Sequence, residues 1–228
     1  MAGNANLAAV AALIAEPARA AILDALLAGE AVRAGELARR AGIAPSTASE
    51  HLARLLDWRL VSCEAHGRER RYALASPEVA DALEALARIA PPEQIRSLRA
   101  ADTSSALRYA RTCYDHLAGQ LGVGLTDALL ARNLLLVADG SYTLTPLGET
   151  TLAELGVDID RARTARRSFA RACLDWSEQR PHLAGALGAA LTDTLLTQRW
   201  LLRRPHDRAL SVTPKGQAAL YEFGVHTG

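Results

Sequence analysis

The chain has 228 residues, half of them apolar, and a formal net charge of +1 at pH 7. This length allows one large domain or two smaller ones with a real core, and the near-neutral charge excludes a general polyanion-binding character. The three cysteines are an odd number, far apart in the sequence, and exclude a disulfide framework. The apolar run that begins at Leu7 is too short to span a membrane and lacks a basic flank. We therefore expect a cytoplasmic protein that does not contact membranes.

Two short helices open the chain. Apolar residues at helical spacing predict the first helix from Leu7 to Ala15, and Glu16-Pro17 ends it. The second helix is predicted from Ala18 to Ala28, where Gly29 closes it.

A helix-turn-helix pattern follows. A short helix over residues 35–40 turns Leu37 and Ala38 inward, and Gly42 supplies a tight turn. Pro45 then occupies the first position of a second helix, where its missing N–H costs nothing. The buried stripe of this second helix is predicted to be Ala48, Leu52, Leu55 and Leu56.

The opposite face of the Pro45 helix is short-chained and polar at its N-terminal end, which suits insertion into a DNA major groove. The residues that we expect to contact DNA from this helix are Ser46, Thr47, Ser49, Glu50, His51 and Arg54.

A β-hairpin is predicted after this helix. Apolar and polar residues alternate from Val61 to His66, and the alternation returns through Tyr72 to Leu74. A basic hairpin that follows a helix-turn-helix is typical of a wing, which contacts DNA phosphates or the minor groove. The arginines that we expect to make these contacts are Arg68, Arg70 and Arg71.

The segment LARRAGIAPSTASEHLARLLDWRLV followed by GRERRYAL resembles the ArsR/SmtB transcriptional repressors. The resemblance covers residues 7–80, and it implies a homodimer that binds two-fold operator DNA and releases it on a signal. The alternative is a winged-helix scaffold for protein–protein interaction that lacks specific DNA binding.

The resemblance also implies where metal ligands would lie. Members of the family use a thiolate pair on the first reader helix, or His and acidic residues on the helix after the wing. This chain has no Cys at residues 36–40 and no His at residues 78–90. We therefore predict no metal ligands, no cofactor, and no control by metals through these routes.

A further helix is predicted from Glu78 to Ala90, with Pro91-Pro92 as a boundary after it. This divides the chain into a winged helix-turn-helix domain, residues 1–90, and a C-terminal domain for sensing or dimerisation, residues 91–228. One face of this helix is apolar and consists of Val79, Leu83, Leu86 and Ile89. We expect this face to pack on a second copy of the chain or on the next domain.

The C-terminal domain contains two copies of one pattern, over approximately residues 105–157 and 165–228. Each copy is predicted to have a helix near its cysteine, a leucine-rich helix, a hairpin and a final helix, as in a degenerate winged helix. The predicted fold class is mainly α with small β-hairpins, a winged helix-turn-helix followed by two winged-helix-like repeats. We expect the two copies to contact each other through their leucine-rich helices. Glycines near these leucines indicate either a close approach of two helices or a break in the helix, and they are Gly119, Gly122, Gly185 and Gly188.

Cys113 and Cys173 occupy corresponding places in the two copies and leave several interpretations open. They are small buried hydrophobes at a pseudo-symmetric contact, or thiol sensors that nearby arginines activate. Cys113 and His116 also have the spacing of a shared helix face, which permits metal binding. Trp176 stands at the place of His116 in the second copy, so we do not treat this pair as part of the repeat.

Tyr114 and Trp176 are predicted either to border a small-molecule pocket between the copies or to be ordinary core. The sequence contains no phosphate-cradling glycine loop, nucleophile elbow or paired-His helix motif, so we do not expect an enzyme. The predicted function is a sequence-specific, DNA-binding transcriptional repressor that responds to a small-molecule or redox effector.

Overall fold

The computed structural model describes residues 5–67, 69–91, 94–95, 97–205 and 207–225. The chain divides into two compact units, residues 1–85 and 86–228. Both are mainly helical with small antiparallel hairpins, as the sequence predicts. Across the described part of the chain, every helix is too short or too polar to span a membrane.

The N-terminal unit is a winged helix-turn-helix. Its sheet has the strand order β1-β3-β2, and all neighbouring strands are antiparallel. Its elements are α1 (Leu7–Ile14), α2 (Pro17–Leu26), β1 (Val32–Arg33), α3 (Ala34–Arg40), α4 (Pro45–Asp57), β2 (Val61–His66), β3 (Glu69–Leu74) and α5 (Pro77–Ile89), the last of which crosses into the second unit.

The Glu16-Pro17 break joins α1 to α2. The Glu16 carboxylate accepts a hydrogen bond from the backbone N–H of Arg19 at 2.9 Å and so caps α2. The buried Arg19 guanidinium donates to the carbonyls of Leu13 at 2.6 Å and Ala12 at 3.0 Å. These are carbonyls of the last turn of α1, which has no intrahelical partners for them. The arginine therefore fixes the angle between the two helices.

The apolar stripe predicted on α5 is only partly covered. Val79 and Leu83 are half-buried, whereas Leu86 is 43% exposed and Ile89 is 80% exposed. The C-terminal end of α5 thus leaves apolar surface in contact with water.

The C-terminal unit contains the two sequence repeats. Its helices are α6 (Leu98–Tyr109), α7 (Gly119–Ala131), α8 (Pro146–Glu154), α9 (Ile159–Thr164), α10 (Gly185–Thr197) and α11 (Pro214–Glu222). Its strands are β4 (Arg111–Cys113), β5 (His116–Ala118), β6 (Leu135–Ala138), β7 (Ser141–Leu144), β8 (Arg171–Leu174), β9 (Pro181–Ala184), β10 (Leu201–Arg203) and β11 (Leu210–Val212).

The predicted helix near each cysteine is wrong. Cys113 lies on β4, which pairs with β5, and Cys173 lies on β8, which pairs with β9. Tertiary contacts decide this conformation, because the backbone N–H of Thr112 donates to the carbonyl of Arg208, in the other copy, at 3.0 Å. A helix at this point would leave that bond unmade.

The two copies exchange equivalent hydrogen bonds, as a pseudo-two-fold arrangement requires. The Thr192 hydroxyl, on α10, accepts from the backbone N–H of Leu117 at 2.9 Å. The Thr126 hydroxyl, on α7, accepts from the backbone N–H of Leu183, also at 2.9 Å. Each leucine-rich helix therefore holds the hairpin of the other copy.

The seam between the copies is closely packed around leucines of both. The void there measures only about 10 Å³, which is at most the space of one water molecule. The glycines lie where the backbone turns or meets another segment closely. Gly119 starts α7 with φ 79°, and an added Cβ there would be 2.6 Å from the carbonyl oxygen of Arg108. Gly122 lies against β5 of its own copy, where an added Cβ would be 2.5 Å from the carbonyl oxygen of Leu117. Gly185 and Gly188 repeat this arrangement in the second copy.

Candidate nucleic-acid interface and a buried Cys-His cluster

Helix α4 presents a polar face above a fully buried stripe. Ala48, Leu52 and Leu55 are 0% exposed and fix the rotation of the helix about its axis. Leu56 is half-buried beside them. The predicted DNA-contacting residues on the opposite side include the exposed Ser46, Ser49, Glu50 and Arg54 and the half-buried Thr47.

His51 is placed differently from the other predicted contact residues. Its Nδ1 lies 3.4 Å from Nη1 of Arg19 and 3.6 Å from a carboxylate oxygen of Glu16. The backbone hydrogen bond from Arg19, together with these charges, holds the pKa of Glu16 below its ordinary value. His51 therefore connects α4 to the α1–α2 junction within the unit.

The wing lies beside α4. Arg70 on β3 is exposed and Arg71 is half-buried, whereas Arg68 lies outside the described residues. Arg33 pairs with Glu69 near the tip, with Nε 2.8 Å from a carboxylate oxygen. A groove of about 410 Å³ separates the helix from the wing, and it is lined by Arg33, Ala34, Ser49, Ala53, Leu56, Glu69, Arg70 and Tyr72.

In the C-terminal unit, the two hairpins bring both cysteines and two histidines together. Cys113 is opposite His116 in the β4–β5 pair, and Cys173 is opposite His182 in the β8–β9 pair. The two Sγ atoms are 3.9 Å apart, and the two imidazole centroids are 5.1 Å apart. One potential ligand atom of each residue lies within 4.8 Å of the others, and all four side chains are buried.

A carboxylate stands behind each imidazole. Oδ1 of Asp115 is 3.4 Å from Nδ1 of His116, and Oδ2 of Asp175 is 3.5 Å from Nδ1 of His182. The buried Nε2 atoms of both histidines have no hydrogen-bond partner, and neither has Nδ1 of His182. Unpaired buried polar atoms are costly, so these nitrogens call for an explanation.

The environment also shifts the pKa values within the cluster. A hydrogen bond with the Cys113 thiol, aided by both histidines, holds the pKa of Cys173 well below its ordinary value despite burial. Burial lowers the pKa of His116, but Asp115 and Cys173 outweigh this effect and leave that pKa above its ordinary value. The cluster thus favours a thiolate.

His182 is not among the site residues predicted from the sequence, and His116 is not predicted to belong to the repeat. The expectation that Cys113 and His116 share a helix face is wrong, because they lie on opposing strands. Trp176 is not the counterpart of His116. The available signal was the sequence His-Leu-Ala-Gly, which occurs at residues 116–119 and again at 182–185.

The aromatic residues predicted to border a pocket have other surroundings. Tyr114 lies in the turn between β4 and β5 with φ 62°. The centroid of the Trp176 ring lies 4.4 Å from the guanidinium carbon of Arg111. Neither lines the small void at the seam. Among the described residues, the void between the leucines of the two copies is therefore no larger than one water molecule.

Arg111 is fully buried and forms an ion pair instead of activating a thiol. Its Nη2 donates to both carboxylate oxygens of Asp175 at 2.9 Å. Burial opposes ionisation of Asp175, but Arg111 and the backbone N–H of Gly119 outweigh it and hold the pKa of Asp175 far below its ordinary value. This pair joins the first strand of one copy to the hairpin of the other.

Comparisons with known proteins agree with this architecture. A helix-turn-helix domain family model matches residues 14–64. The uncharacterized HTH-type transcriptional regulator YdfF of Bacillus subtilis is 43% identical over 216 residues, which cover 95% of this chain and 96% of that protein.

Solved structures match the chain over a smaller part. NolR from Sinorhizobium fredii is 30% identical with a TM-score of 0.34, over 39% of this chain and 96% of that one. The homodimeric winged helix-turn-helix DNA-binding domain of Mb0332 from Mycobacterium bovis is 30% identical with a TM-score of 0.33, over 39% of this chain and 88% of that one. Because YdfF matches nearly end to end at 43% identity, the chain belongs to the same family of HTH-type transcriptional regulators.

Proposed function

We propose that this regulator is a repressor that binds operator DNA as a homodimer, with α4 in the major groove and the wing on the backbone. The observation that supports this most directly is the polar face of α4, which stands over a stripe that is 0% exposed and beside an arginine-bearing wing. A buried stripe fixes which residues point outward, and short polar side chains let a helix approach base edges closely.

The residues divide into three roles. Ser46, Thr47, Ser49 and Glu50 lie on the first two turns of α4 and read base edges. Three arginines contact phosphates, which raises affinity without specifying sequence: Arg54, Arg70 and Arg71. His51 acts as a positioning residue, because its contacts with Glu16 and Arg19 set the orientation of α4 within the unit.

The proposed homodimer follows from the operator geometry and from exposed apolar surface. A helix-turn-helix protein reads a two-fold operator with two copies of itself. Leu86 and Ile89 on α5 are 43% and 80% exposed, and covering them removes apolar area from water. The Mb0332 domain is described as homodimeric. The C-terminal unit then extends the dimer or receives the signal that releases the operator.

Fluorescence anisotropy with labelled duplexes tests this proposal. One duplex carries the promoter of the protein's own gene, and the other carries the same bases in scrambled order. We expect tighter binding to the promoter duplex. Arg70→Ala should weaken binding to both duplexes alike and reduce the salt slope by about one unit. The exposed Arg161 on α9 is the matched control, and Arg161→Ala should change neither quantity.

The double variant Thr47→Ala/Ser49→Ala tests base reading. It should reduce the preference for the promoter duplex while leaving binding to the scrambled duplex unchanged. Equal affinity of the unaltered protein for both duplexes would contradict the proposal and favour a protein-docking scaffold. An unchanged preference in the double variant would instead refute the assignment of α4 as the reader.

A further inference from the structure

We propose that Cys113, His116, Cys173 and His182 bind one Zn²⁺ ion at the pseudo-two-fold axis of the C-terminal unit. The ion takes one cysteine and one histidine from each sequence repeat and therefore joins the two copies. The proposal concerns the C-terminal unit alone and does not depend on DNA binding.

The distances fit a tetrahedral zinc centre. With Zn–S bonds of about 2.3 Å, two thiolates at corners of a regular tetrahedron lie about 3.8 Å apart. The Cys113 and Cys173 sulfurs are 3.9 Å apart. A disulfide requires about 2.05 Å, which this pair is far from reaching. Because the four ligand atoms lie within 4.8 Å of one another, small side-chain shifts bring them to one centre.

The types of ligand select the metal. Two thiolates and two imidazoles form the Cys₂His₂ set of closed, four-coordinate zinc sites. Magnesium and calcium require oxygen ligands and prefer more of them. Two thiolates also balance the charge of Zn²⁺, so the occupied centre is neutral, as deep burial demands.

The unpaired nitrogens are the independent observation that points to a ligand. Nε2 of His116 and Nε2 of His182 are buried and have no hydrogen-bond partner. A bound ion satisfies both atoms at once. Without it, two polar atoms remain desolvated and unpaired in the core.

The surroundings prepare these nitrogens to act as ligands. Asp115 and Asp175 each face Nδ1 of one histidine, at 3.4 and 3.5 Å. At His116 the Asp115 carboxylate is hydrogen-bonded to Nδ1, which favours the proton there and leaves Nε2 to bind the ion, the common arrangement behind zinc-binding histidines. At His182 neither ring nitrogen has a hydrogen-bond partner, so either of them can turn toward the ion.

The location differs from the sites implied by the ArsR/SmtB resemblance. Those sites would lie at residues 36–40 or 78–90, in segments without the required ligands. This cluster lies on β4, β5, β8 and β9, where neither repeat holds enough ligands alone. The ion would therefore reinforce the same contact that Thr126 and Thr192 make through hydrogen bonds.

The test uses the full-length protein, stripped of metal under reducing conditions. Competition with a colorimetric zinc chelator gives stoichiometry and affinity, and Co²⁺ substitution gives the ligand set through its absorption spectrum. We expect one Zn²⁺ per chain, and a Co²⁺ spectrum with thiolate charge-transfer bands and the intense visible bands of a tetrahedral centre.

Variants locate the site. Cys113→Ser and His182→Gln should each weaken zinc binding at least about a hundredfold, since even residues behind the ligands contribute 10–100-fold. Cys63 and His66 lie in the N-terminal unit, so Cys63→Ser and His66→Gln are matched controls that should retain wild-type affinity.

Substoichiometric zinc, or full affinity in both ligand variants, would overturn the proposal. A six-coordinate Co²⁺ spectrum of the unaltered protein would also overturn the proposal. This measurement does not depend on whether the variants fold. A Cys113–Cys173 disulfide that forms in air and persists in the presence of equimolar Zn²⁺ would also overturn it, because the bonded sulfurs could not then bind the ion.

Discussion

Replacing Arg111 with Met should destabilise the C-terminal unit by about 3 kcal/mol. Removing one partner of a buried ion pair costs about 3–5 kcal/mol, because the remaining charge is buried without compensation. Asp175 would retain hydrogen bonds from the backbone N–H groups of Gly119, at 2.7 Å, and Ser177, at 2.8 Å. These bonds place the expected cost at the lower end of that range.

Hydrogen exchange measured by mass spectrometry provides the assay, because it reports each unit separately. The slowest amides of α7 and α10 should exchange roughly a hundredfold faster in Arg111→Met, since 1.4 kcal/mol corresponds to a factor of ten. Amides of α4, in the other unit, serve as the reference. The matched control is Arg180→Met, because Arg180 holds Asp127 by the same two-bond geometry, at 2.8 and 2.9 Å, but on the surface. That change should cost no more than about 1 kcal/mol.

A second variant tests the stated cause. In Arg111→Met/Asp175→Asn the orphan charge is removed, so at least about 1 kcal/mol should return. Equal losses from Arg111→Met and Arg180→Met would refute the claim that burial makes the first pair important. A double variant no more stable than Arg111→Met would show that lost packing, rather than the unpaired carboxylate, causes the effect.

Further predictions concern packing in both units. Thr126→Val and Thr192→Val should each lower the free energy of unfolding, measured by equilibrium urea unfolding, by about 1–3 kcal/mol, because each leaves a buried backbone N–H unpaired. Clearly unequal losses would contradict the pseudo-two-fold symmetry. Leu52→Ala should destabilise the N-terminal unit by about 2–5 kcal/mol in the same assay, whereas Leu56→Ala, at a half-buried neighbour, should cost less. Gly122→Ala should accelerate exchange of the α7 amides, because its Cβ would lie 2.5 Å from the backbone oxygen of Leu117, and wild-type exchange would mean that β5 can move away from α7 there.

The sequence predicted the N-terminal unit well because local signals determine it. Pro45 fixes the start of α4, and the apolar period through Ala48, Leu52 and Leu55 fixes its buried side. The wing strands are long enough for their alternation to be visible, and the predicted hairpin is confirmed. These features depend on residues close together in the chain.

The C-terminal cluster could not be recognised in this way, because long-range contacts determine it. β4 and β5 have three residues each, too few to show a period of two, and the Cys113–His116 spacing fits a helix equally well. The second hairpin has a longer turn, from 175 to 180, so His182 falls out of register with His116 in an ungapped alignment. Arg111 likewise pairs with Asp175, far along the chain, and not with the nearby Asp115.

Selection of bound duplexes from a random DNA library tests the central claim most directly, because it requires no knowledge of the operator. Purified protein should enrich one sequence composed of two inverted half-sites, with their centres about one helical turn apart. The Thr47→Ala/Ser49→Ala variant should enrich a different or weaker sequence from the same library. Recovery of an unselected pool, or of the same sequence by both proteins, would contradict the account of α4 as the operator-reading helix.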